Sequence, residues 1–205
     1  MTNQQIILQR AQELFIRFGI KNMTMDDIAR ELGMSKKTIY LYVNNKADLV
    51  QKALRTYIAT ETQVLKDAVA NSGNALEEML TLINFISTHL REFDSRVFHE
   101  LEKYYSEAFK QYQEYRDKTI LSYFSENLEK GIKQGVYRKD INPEVISLFY
   151  VYGSDVLFDP QIFPSKRFPF ITAYHQIAEY HLRGILSKKG VELLEQSKLL
   201  KTLEP

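Results

Sequence analysis

Cysteine is absent from this chain of 205 residues, which excludes a disulfide framework and any metal site built on thiolates. Glycine and proline are sparse, at 8 and 5 residues, so few positions interrupt a helical pattern. No stretch approaches the roughly 18 consecutive apolar residues that a membrane-spanning helix needs. The N-terminus also lacks the pattern of a signal peptide. We therefore expect a globular, cytoplasmic protein without a membrane segment.

Catalytic signatures are missing as well. The sequence contains no G-x-S-x-G elbow, no glycine loop that would cradle a phosphate and no H-E-x-x-H motif. His175 and Glu179 share a helix face at i, i+4 spacing, which can bind a metal ion but needs a third ligand. Glu179 can equally pair with Arg183. We therefore predict no catalytic residue, no metal site and no cofactor, and we do not expect an enzyme.

Apolar residues recur at helical spacing along nearly the whole chain, which predicts an all-α fold. Gly135 is expected to end one long helix, and Asn142-Pro143-Glu144 has the composition of a helix start. The segment from Asp159 to Pro169 holds three prolines and should be a loop. The predicted helices cover about 3–18, 25–32, 36–43, 46–69, 75–92, 95–103, 106–134, 143–158, 170–187 and 191–200.

Charge is distributed unevenly although the net charge is only +1. Residues 1–55 carry nine Lys and Arg against five Asp and Glu, whereas the remaining 150 residues carry 18 against 21. An asymmetry of this kind indicates where a basic, nucleic-acid-binding surface would lie. The N-terminal quarter of the chain is therefore the part to examine for such a surface.

Two short helices joined by a tight turn are expected between residues 24 and 46. Thr24 can cap the first helix, and Asp27 is placed like the acidic member of a capping box. Gly33 suits the left-handed residue that ends this helix, and Ser35 can cap the next one. The two helices and their turn have the pattern of a helix-turn-helix.

The second of these helices begins with two cations, Lys36 and Lys37. Positive charge at a helix N-terminus opposes the helix dipole by roughly 0.3–1 kcal/mol for each residue, whereas Asp26 and Asp27 satisfy that dipole one helix earlier. Contact with DNA explains the placement, because the N-terminal part of a recognition helix approaches base edges and backbone. The alternative is that both lysines are solvated side chains on a surface helix.

Together with its flanking segments, this pattern resembles the DNA-binding domain of the TetR family of bacterial transcriptional regulators. The specific similarity covers about the first 55 residues. It implies a helix-turn-helix DNA-binding domain over residues 1–45 and a helical effector-binding and dimerisation domain over residues 46–205. The matching positions are Phe15 to Gly19, Thr24, Ile28, Ala29, Leu32, Gly33, Ser35, Thr38, Tyr40, Tyr42, Val43, Asn45, Lys46 and Leu49.

The resemblance also implies which residues face DNA when the helix from Lys36 enters the major groove. Lys36 and Lys37 would reach either guanine edges or phosphates, and Thr24, Tyr40 and Lys46 would anchor phosphates. Ile39 and Val43 should face the core instead. Leu41 is either a thymine-methyl contact or a partly exposed packing residue. The DNA-binding candidates are Thr24, Lys36, Lys37, Thr38, Tyr40, Leu41, Tyr42 and Lys46.

Twenty-one of the 25 phenylalanine and tyrosine residues lie beyond residue 45. Tyrosines place a polar group on an apolar wall, as in sites for aromatic or lipophilic ligands. The resemblance implies that the C-terminal domain binds a small-molecule effector, without indicating which one. The alternative is that these rings form plain core. The effector-binding candidates are Phe85, Phe98, Tyr104, Tyr105, Tyr112, Phe124, Phe149 and Tyr152.

The helices near 143–158 and 170–187 are apolar on two faces, and a helix of that kind must be covered on both. Gly153 costs about 0.5–1 kcal/mol in mid-helix, which is tolerable where another backbone packs closely. In proteins that this sequence resembles, these two helices pair with their copies in a second subunit. The alternative is that both faces belong to the core of a monomer.

These features predict a sequence-specific DNA-binding transcriptional regulator, a repressor released from a palindromic operator by a small-molecule effector. Its predicted partners are a double-stranded DNA operator, an effector and a second copy of the chain. The alternative is a helical ligand sensor or adaptor that acts through protein partners without binding DNA. The basic first turn of the second short helix argues against that alternative.

Overall fold

The computed structural model describes residues 2–92, 95–159, 161–164 and 166–197. Regular structure within these ranges is helical, which confirms the all-α prediction, and the extended pairing found there is an isolated bridge between Tyr137 and Leu186. The α-helices are α1 (Asn3–Phe18), α2 (Met25–Leu32), α3 (Lys36–Ile39), α4 (Lys46–Ala70), α5 (Ala75–Glu92), α6 (Ser95–Tyr104), α7 (Ser106–Tyr115), α8 (Leu121–Lys133), α9 (Pro143–Gly153), α10 (Phe170–Ile185) and α11 (Lys188–Gln196).

Caps and breakers set several helix ends as predicted. The side chain of Asn142 accepts a hydrogen bond from the backbone N–H of Val145 at 3.2 Å, and Pro143 occupies the first turn of α9, where its missing N–H costs nothing. Gly135, just beyond α8, has a φ of 70°, which favours glycine. The predicted start of α9 and the predicted stop after α8 are therefore confirmed.

Three predicted helices are not α-helical over their whole predicted range. The α-helix over 36–43 ends at Ile39, because the following N–H groups of Leu41 and Tyr42 bond to carbonyls three residues back and tighten the chain. The predicted helix over 106–134 contains a π-helical turn at Arg116–Ile120, and no glycine or proline signals it. The helix predicted over 143–158 continues beyond Gly153 as a 3₁₀ turn, Ser154–Phe158.

The last predicted helices shift by a few residues. α10 ends at Ile185 and not at residue 187, where Ser187 instead caps α11 by accepting a hydrogen bond from the Gly190 N–H at 3.1 Å. α11 consequently begins at Lys188, before the predicted start at residue 191. The end of that prediction, residues 198–200, lies outside the described residues.

One compact unit comprises residues 1–63 and 92–115. One face of α1 is buried through Ile7, Ala11, Leu14 and Phe15, which agrees with the apolar helical spacing in the sequence. Phe18 is 41% exposed, because α1 ends there and its ring carries the guanidinium group of Arg17 instead. Apolar residues of the other helices complete this core, among them Ile28, Ala29, Ile39, Leu49, Val50, Leu54, Val97 and Leu101.

The second compact unit comprises residues 64–91 and 116–205. Its core joins α5, α8, α9 and α10 through Leu76, Met79, Leu80, Ile83, Phe124, Leu128, Tyr150, Tyr174, Ala178 and Leu182. The predicted boundary between a DNA-binding domain, residues 1–45, and an effector-binding domain, residues 46–205, was defined by what each part binds. The two compact units are defined by packing alone. The predicted domain boundary therefore stays a prediction.

A buried polar network orders the start of α5 in the second unit. The hydroxyl of Tyr137 lies 2.8 Å from both the carbonyl oxygen of Ala75 and Oδ1 of Asn127. The amide of Asn127 donates to the same carbonyl at 2.8 Å. The Tyr137 ring packs on α8 where Gly131 leaves room, since a Cβ at Gly131 would lie 2.0 Å from the ring.

Candidate DNA-binding surface

A capping box starts α2, as predicted. The hydroxyl of Thr24 accepts a hydrogen bond from the Asp27 N–H at 3.1 Å, and a carboxylate oxygen of Asp27 accepts from the Thr24 N–H at 3.1 Å. The hydrogen bond that the Thr24 hydroxyl donates to this carboxylate at 2.6 Å, followed by those from the Thr24 N–H and Arg30, lowers the pKa of Asp27 to about 2. Gly33 ends α2 with a φ of 63°. The start, the stop and the turn are therefore formed by the residues that the sequence indicated.

Ser35 caps α3 and fixes the position of Thr38. The hydroxyl of Ser35 accepts from the Thr38 N–H at 3.1 Å, and the two hydroxyl groups are 2.8 Å apart. The following residues, Lys36 and Lys37, are exposed. Both cations of the first turn therefore lie at the surface, on a helix whose start is ordered by its own side chains.

Lys36 is paired inside the helix-turn-helix. Its ammonium lies 2.9 Å from a carboxylate oxygen of Asp26, and side-chain exposure is 48% for Lys36 and 69% for Asp26. The hydrogen bond to Asp26 raises the pKa of Lys36. Asp26 was not among the predicted site residues, although an acidic residue in the first turn of α2 was the available signal. Lys37 makes no ion pair among the described residues.

The fractional exposure of the side chains separates a buried side from an outer side along α3 and the turn that follows it. Ile39 and Val43 are 0% and 2% exposed, as predicted for core residues. Tyr40 and Leu41 are 46% and 74% exposed, and Tyr42 is half-buried. Within this chain Leu41 therefore does not act as a packing residue.

Lys46 lies at the start of α4, where Asn45 is the cap. Oδ1 of Asn45 accepts from the Asp48 N–H at 2.9 Å, and Asp48 accepts from the Asn44 N–H at 2.8 Å. Lys46 is half-buried, its Nζ lies 3.5 Å from the carbonyl oxygen of Lys21, and burial lowers the pKa of its ammonium. Asn45, and not the neighbouring Asn44, therefore caps α4.

The effector-binding candidates divide between the two compact units. In the first unit Phe98 meets Tyr112 edge-on at 5.4 Å, and Phe109, which was not predicted, joins the same cluster at 5.5 Å from Phe98. Tyr105 is half-buried, and burial raises the pKa of its hydroxyl. Tyr104 is 50% exposed and lies against the ammonium groups of two lysines.

In the second unit the candidates have different environments. Phe124 is completely buried, 4.6 Å from the ring of Tyr150, and Phe85 packs against the same core. Phe149 is 71% exposed. Tyr152 donates a hydrogen bond to Asp117 at 2.8 Å. These four side chains therefore do not gather around one point of this unit.

An apolar stripe on α9 is exposed in the part of the chain that the structure describes. Val145, Leu148, Phe149 and Tyr152 are 58%, 38%, 71% and 38% exposed, at the i, i+3, i+4, i+7 spacing of one helix face. On α10, Tyr180 is 79% exposed. A Cβ added at Gly153 or Gly184 would meet no atom within 4 Å. On the opposite side, Tyr150 of α9 and Leu157 of the following 3₁₀ turn are buried in the core, and Ile146 packs against it partly buried.

The two candidate metal ligands, His175 and Glu179, contact other side chains of the protein. Glu179 pairs with Arg183 at 2.8 Å, and Nε2 of His175 is 2.8 Å from the Ser87 hydroxyl, so each of the two metal-ligand candidates has a protein contact. Among the described residues no cluster of three His, Cys, Asp or Glu is placed to hold a metal ion. No helix described is long and apolar enough to cross a membrane.

Comparison with known proteins identifies the family. Residues 7–53 match the model of bacterial regulatory proteins of the tetR family. The HTH-type transcriptional regulator YhgD of Bacillus subtilis is 28% identical over 146 residues, which cover 69% of this chain and 75% of that protein. An HTH-type transcriptional regulator of Staphylococcus aureus is 30% identical over 126 residues, which cover 53% of this chain and 68% of that protein.

A solved structure has the same fold. It is the structure of a transcriptional regulator from Saccharomonospora viridis in complex with choline, which superimposes with a TM-score of 0.74 at 22% identity and covers 90% of this chain and 98% of that one. This likeness extends the agreement beyond the helix-turn-helix to nearly the full chain. With its helix-turn-helix, its matching N-terminal region and its relatives, the chain belongs to the TetR family of bacterial transcriptional regulators.

Proposed function

We propose that this protein is a repressor that binds a palindromic operator as a homodimer and is released by a small-molecule effector. The observation that carries the proposal is the outer side of α3 and the turn after it. Lys37, Tyr40 and Leu41 face outward there while Ile39 and Val43 are buried. An ammonium, a phenol and an apolar side chain are suited to phosphates, backbone oxygens and thymine methyl groups.

The proposed DNA contacts follow from how each side chain is held. Lys37, without an ion pair in the described structure, is the cation most available for phosphate or guanine. Leu41, at 74% exposure, is assigned to a thymine methyl. Tyr40, Tyr42 and Lys46 are assigned to the backbone. Thr24, Thr38 and Lys36 complete the proposed surface, and their side chains contact Asp27, Ser35 and Asp26 respectively.

The uncovered stripe on α9 supports a homodimer formed through α9 and α10. A contiguous apolar face on a monomer marks an interaction site, and a symmetric dimer places the same face on both subunits. Two helix-turn-helix units about 34–36 Å apart would read successive major grooves. The operator should therefore be a palindrome with that spacing between its halves.

The effector is proposed to bind through aromatic side chains of residues 46–205. The cluster of Phe98, Phe109 and Tyr112 has the edge-to-face contacts that aromatic ligands can extend. The choline complex of the Saccharomonospora viridis protein supports a small-molecule site in this fold. An effector releases DNA only if it prefers a conformation with lower operator affinity, and a coupling of about 1–3 kcal/mol changes that affinity roughly 5- to 150-fold.

Selection from random double-stranded DNA with the full chain tests the proposed function. Recovery of a palindrome by the wild type, and its loss in Lys37→Ala, is the expected result. Lys66→Ala removes one exposed cation from the second unit and serves as the control. Failure of the wild type to select any sequence would favour the adaptor alternative and contradict the proposal.

The effector proposal has its own test. Compounds from a library of aromatic and lipophilic molecules are first ranked by the increase in melting temperature of the wild type. Each is then titrated into the complex with the selected operator. Compounds that stabilise the protein should lower operator affinity. If all of them leave that affinity unchanged, the site they occupy does not regulate DNA binding.

A further inference from the structure

Glu100, on α6, is a buried carboxylate in the unit that carries the helix-turn-helix. It is 7% exposed, and burying a carboxylate is costly unless hydrogen bonds compensate it. One of its oxygens accepts the backbone N–H of Lys21 at 2.9 Å, across 79 residues of sequence. Lys21 belongs to the turn between α1 and α2. The carboxylate therefore fastens α6 to the segment that leads into the helix-turn-helix.

Gly19 begins the turn that this carboxylate contacts. Gly19 has a φ of 84°, a conformation that other residues rarely adopt. A Cβ at Gly19 would lie 3.4 Å from both Glu100 carboxylate oxygens and 3.6 Å from Nε of Arg96. The glycine is therefore favoured by its backbone conformation, and the carboxylate of Glu100 packs directly beside it.

The same peptide segment contacts a proposed DNA-binding residue on its other side. Nζ of Lys46 lies 3.5 Å from the carbonyl oxygen of Lys21. Burial lowers the pKa of Lys46, and the nearby charge of Glu100 opposes that effect. Lys21 therefore contributes its N–H to the carboxylate of Glu100 and its carbonyl to the ammonium of Lys46.

Apolar packing also holds α6 in this unit. Val97 and Leu101 of α6 are 2% and 3% exposed and share a buried core with Phe15 and Ile20, which flank the turn on its N-terminal side. The contact of Glu100 adds a polar attachment to the turn itself.

We propose that Glu100 is a positioning residue for DNA binding: it holds the turn at Lys21 so that the ammonium of Lys46 meets an operator phosphate. The inference rests on the proposed DNA-binding function and adds to it a residue that does not itself touch DNA. Loss of the Glu100 contact should therefore weaken operator binding through Lys46.

A double-mutant cycle on the full chain tests this inference. Operator affinity is measured by fluorescence anisotropy at several salt concentrations for Glu100→Ala, Lys46→Ala and the double variant. Losing the hydrogen bond to a charged group should lower affinity about tenfold. Lys46→Ala should cause a similar loss, and each variant should reduce the slope of log affinity against log salt by about 0.9, one phosphate contact. The double variant should bind no more weakly than Lys46→Ala.

Hydrogen exchange at the Lys21 amide, followed by NMR, reports the contact directly. Exchange should be faster in Glu100→Ala and close to wild type in Glu100→Gln, whose amide oxygen still accepts the N–H. Glu100→Asp keeps the charge but shortens the reach, and it replaces Glu100→Ala in the cycle if that variant does not fold. Glu102→Gln is the control, because Glu102 lies on the same helix with a 54% exposed side chain.

Two results would overturn the inference. Additive losses in the double variant would show that Glu100 acts independently of Lys46. Faster Lys21 exchange with wild-type operator affinity would show that the contact has no bearing on DNA binding. In both cases the wild type still binds its operator, whereas a wild type that selects no DNA would overturn the proposed function together with this inference.

Discussion

The ammonium of Lys36 lies 2.9 Å from a carboxylate oxygen of Asp26, so the first cation of α3 already has an anionic partner within the helix-turn-helix. Phosphate binding by Lys36 must compete with that carboxylate. The pair is exposed, and exposed pairs contribute little to stability. Its main consequence should therefore lie in DNA affinity and not in folding.

Asp26→Asn should raise operator affinity. The change frees Lys36 and removes a negative charge that would face the phosphates, so the dependence of affinity on salt should also become steeper. Anisotropy titrations at two salt concentrations measure both effects. Glu31→Gln is the matched control, because it removes the same charge from the same helix at a distance from Lys36. Equal gains in the two variants would mean that net charge alone is responsible.

Lys37→Ala should weaken operator binding more than Lys36→Ala does. Lys37 has no competing ion pair in the described structure, so its whole charge is available to DNA. Each lost phosphate contact should lower the salt slope by about 0.9, while helicity and melting temperature stay near the wild-type values. Unchanged binding in both variants would mean that both lysines are solvated surface side chains and that α3 is not the helix that contacts DNA.

Phe149→Asp should dissociate the dimer. Phe149 is 71% exposed in the single chain, and a charge buried at the centre of an apolar interface has no partner. Gly153→Leu should act similarly, because the space beside Gly153 is open within the chain and the proposed second subunit would fill it. Sedimentation at micromolar concentration distinguishes dimer from monomer.

Val64→Asp provides the control for the dimer prediction. Val64 is 50% exposed on α4 and does not belong to the proposed α9–α10 interface, so a charge there should leave the dimer intact. A wild type that sediments as a stable monomer would contradict the proposed interface. Dissociation by Val64→Asp as readily as by Phe149→Asp would indicate a general loss of solubility instead.

The helix-turn-helix was predictable because its determinants are local. The Thr24–Asp27 and Ser35–Thr38 contacts each span three residues, and a left-handed glycine such as Gly33 is visible in the sequence. The contact between Glu100 and Lys21 spans 79 residues and depends on tertiary packing that periodicity does not encode. The π-helical turn after α7 likewise lacks a glycine or proline that would signal it.

The aromatic candidates show a second limit of sequence patterns. Helical spacing indicates that a ring lies on an apolar helix face. It does not indicate which core that face joins, or whether the face is covered within the same chain. Phe124 is completely buried and Phe149 is 71% exposed, although both belong to apolar stripes. No described residue covers the ring of Phe149 to the extent that the core covers Phe124, and only three-dimensional packing shows this difference.

Gly131→Ala should lower the free energy of unfolding by about 1–3 kcal/mol, the usual cost of overpacking a core. The added methyl would lie 2.0 Å from the Tyr137 ring, so the ring or α8 must shift. Displacing Tyr137 would also disturb its contacts with Ala75 and Asn127. Urea denaturation measures the loss. Gly184→Ala, where the Cβ would meet nothing within 4 Å, is the control for the glycine-to-alanine change.

His181 should make the second unit less stable as pH falls. Burial lowers its pKa from 6.5 to about 4, its ring lies 4.2 Å from that of Tyr150, and Nε2 has no hydrogen-bond partner among the described residues. The unfolded chain binds the proton more tightly than the folded chain. Stability should therefore decline as pH falls from about 6.5 towards 4, by up to about 1.4 kcal/mol for each pH unit.

His181→Phe removes this titration and keeps an aromatic ring beside Tyr150. Urea denaturation at a series of pH values between 7 and 4 should give a shallower decline for the variant than for the wild type. His99→Phe removes a histidine whose side chain is 69% exposed and should follow the wild-type curve. Because carboxylates titrate in the lower part of this range, the difference between variant and wild type is the relevant quantity. Parallel curves for His181→Phe and the wild type would show that His181 takes up a proton equally well in the folded chain, which would contradict its burial as a neutral ring.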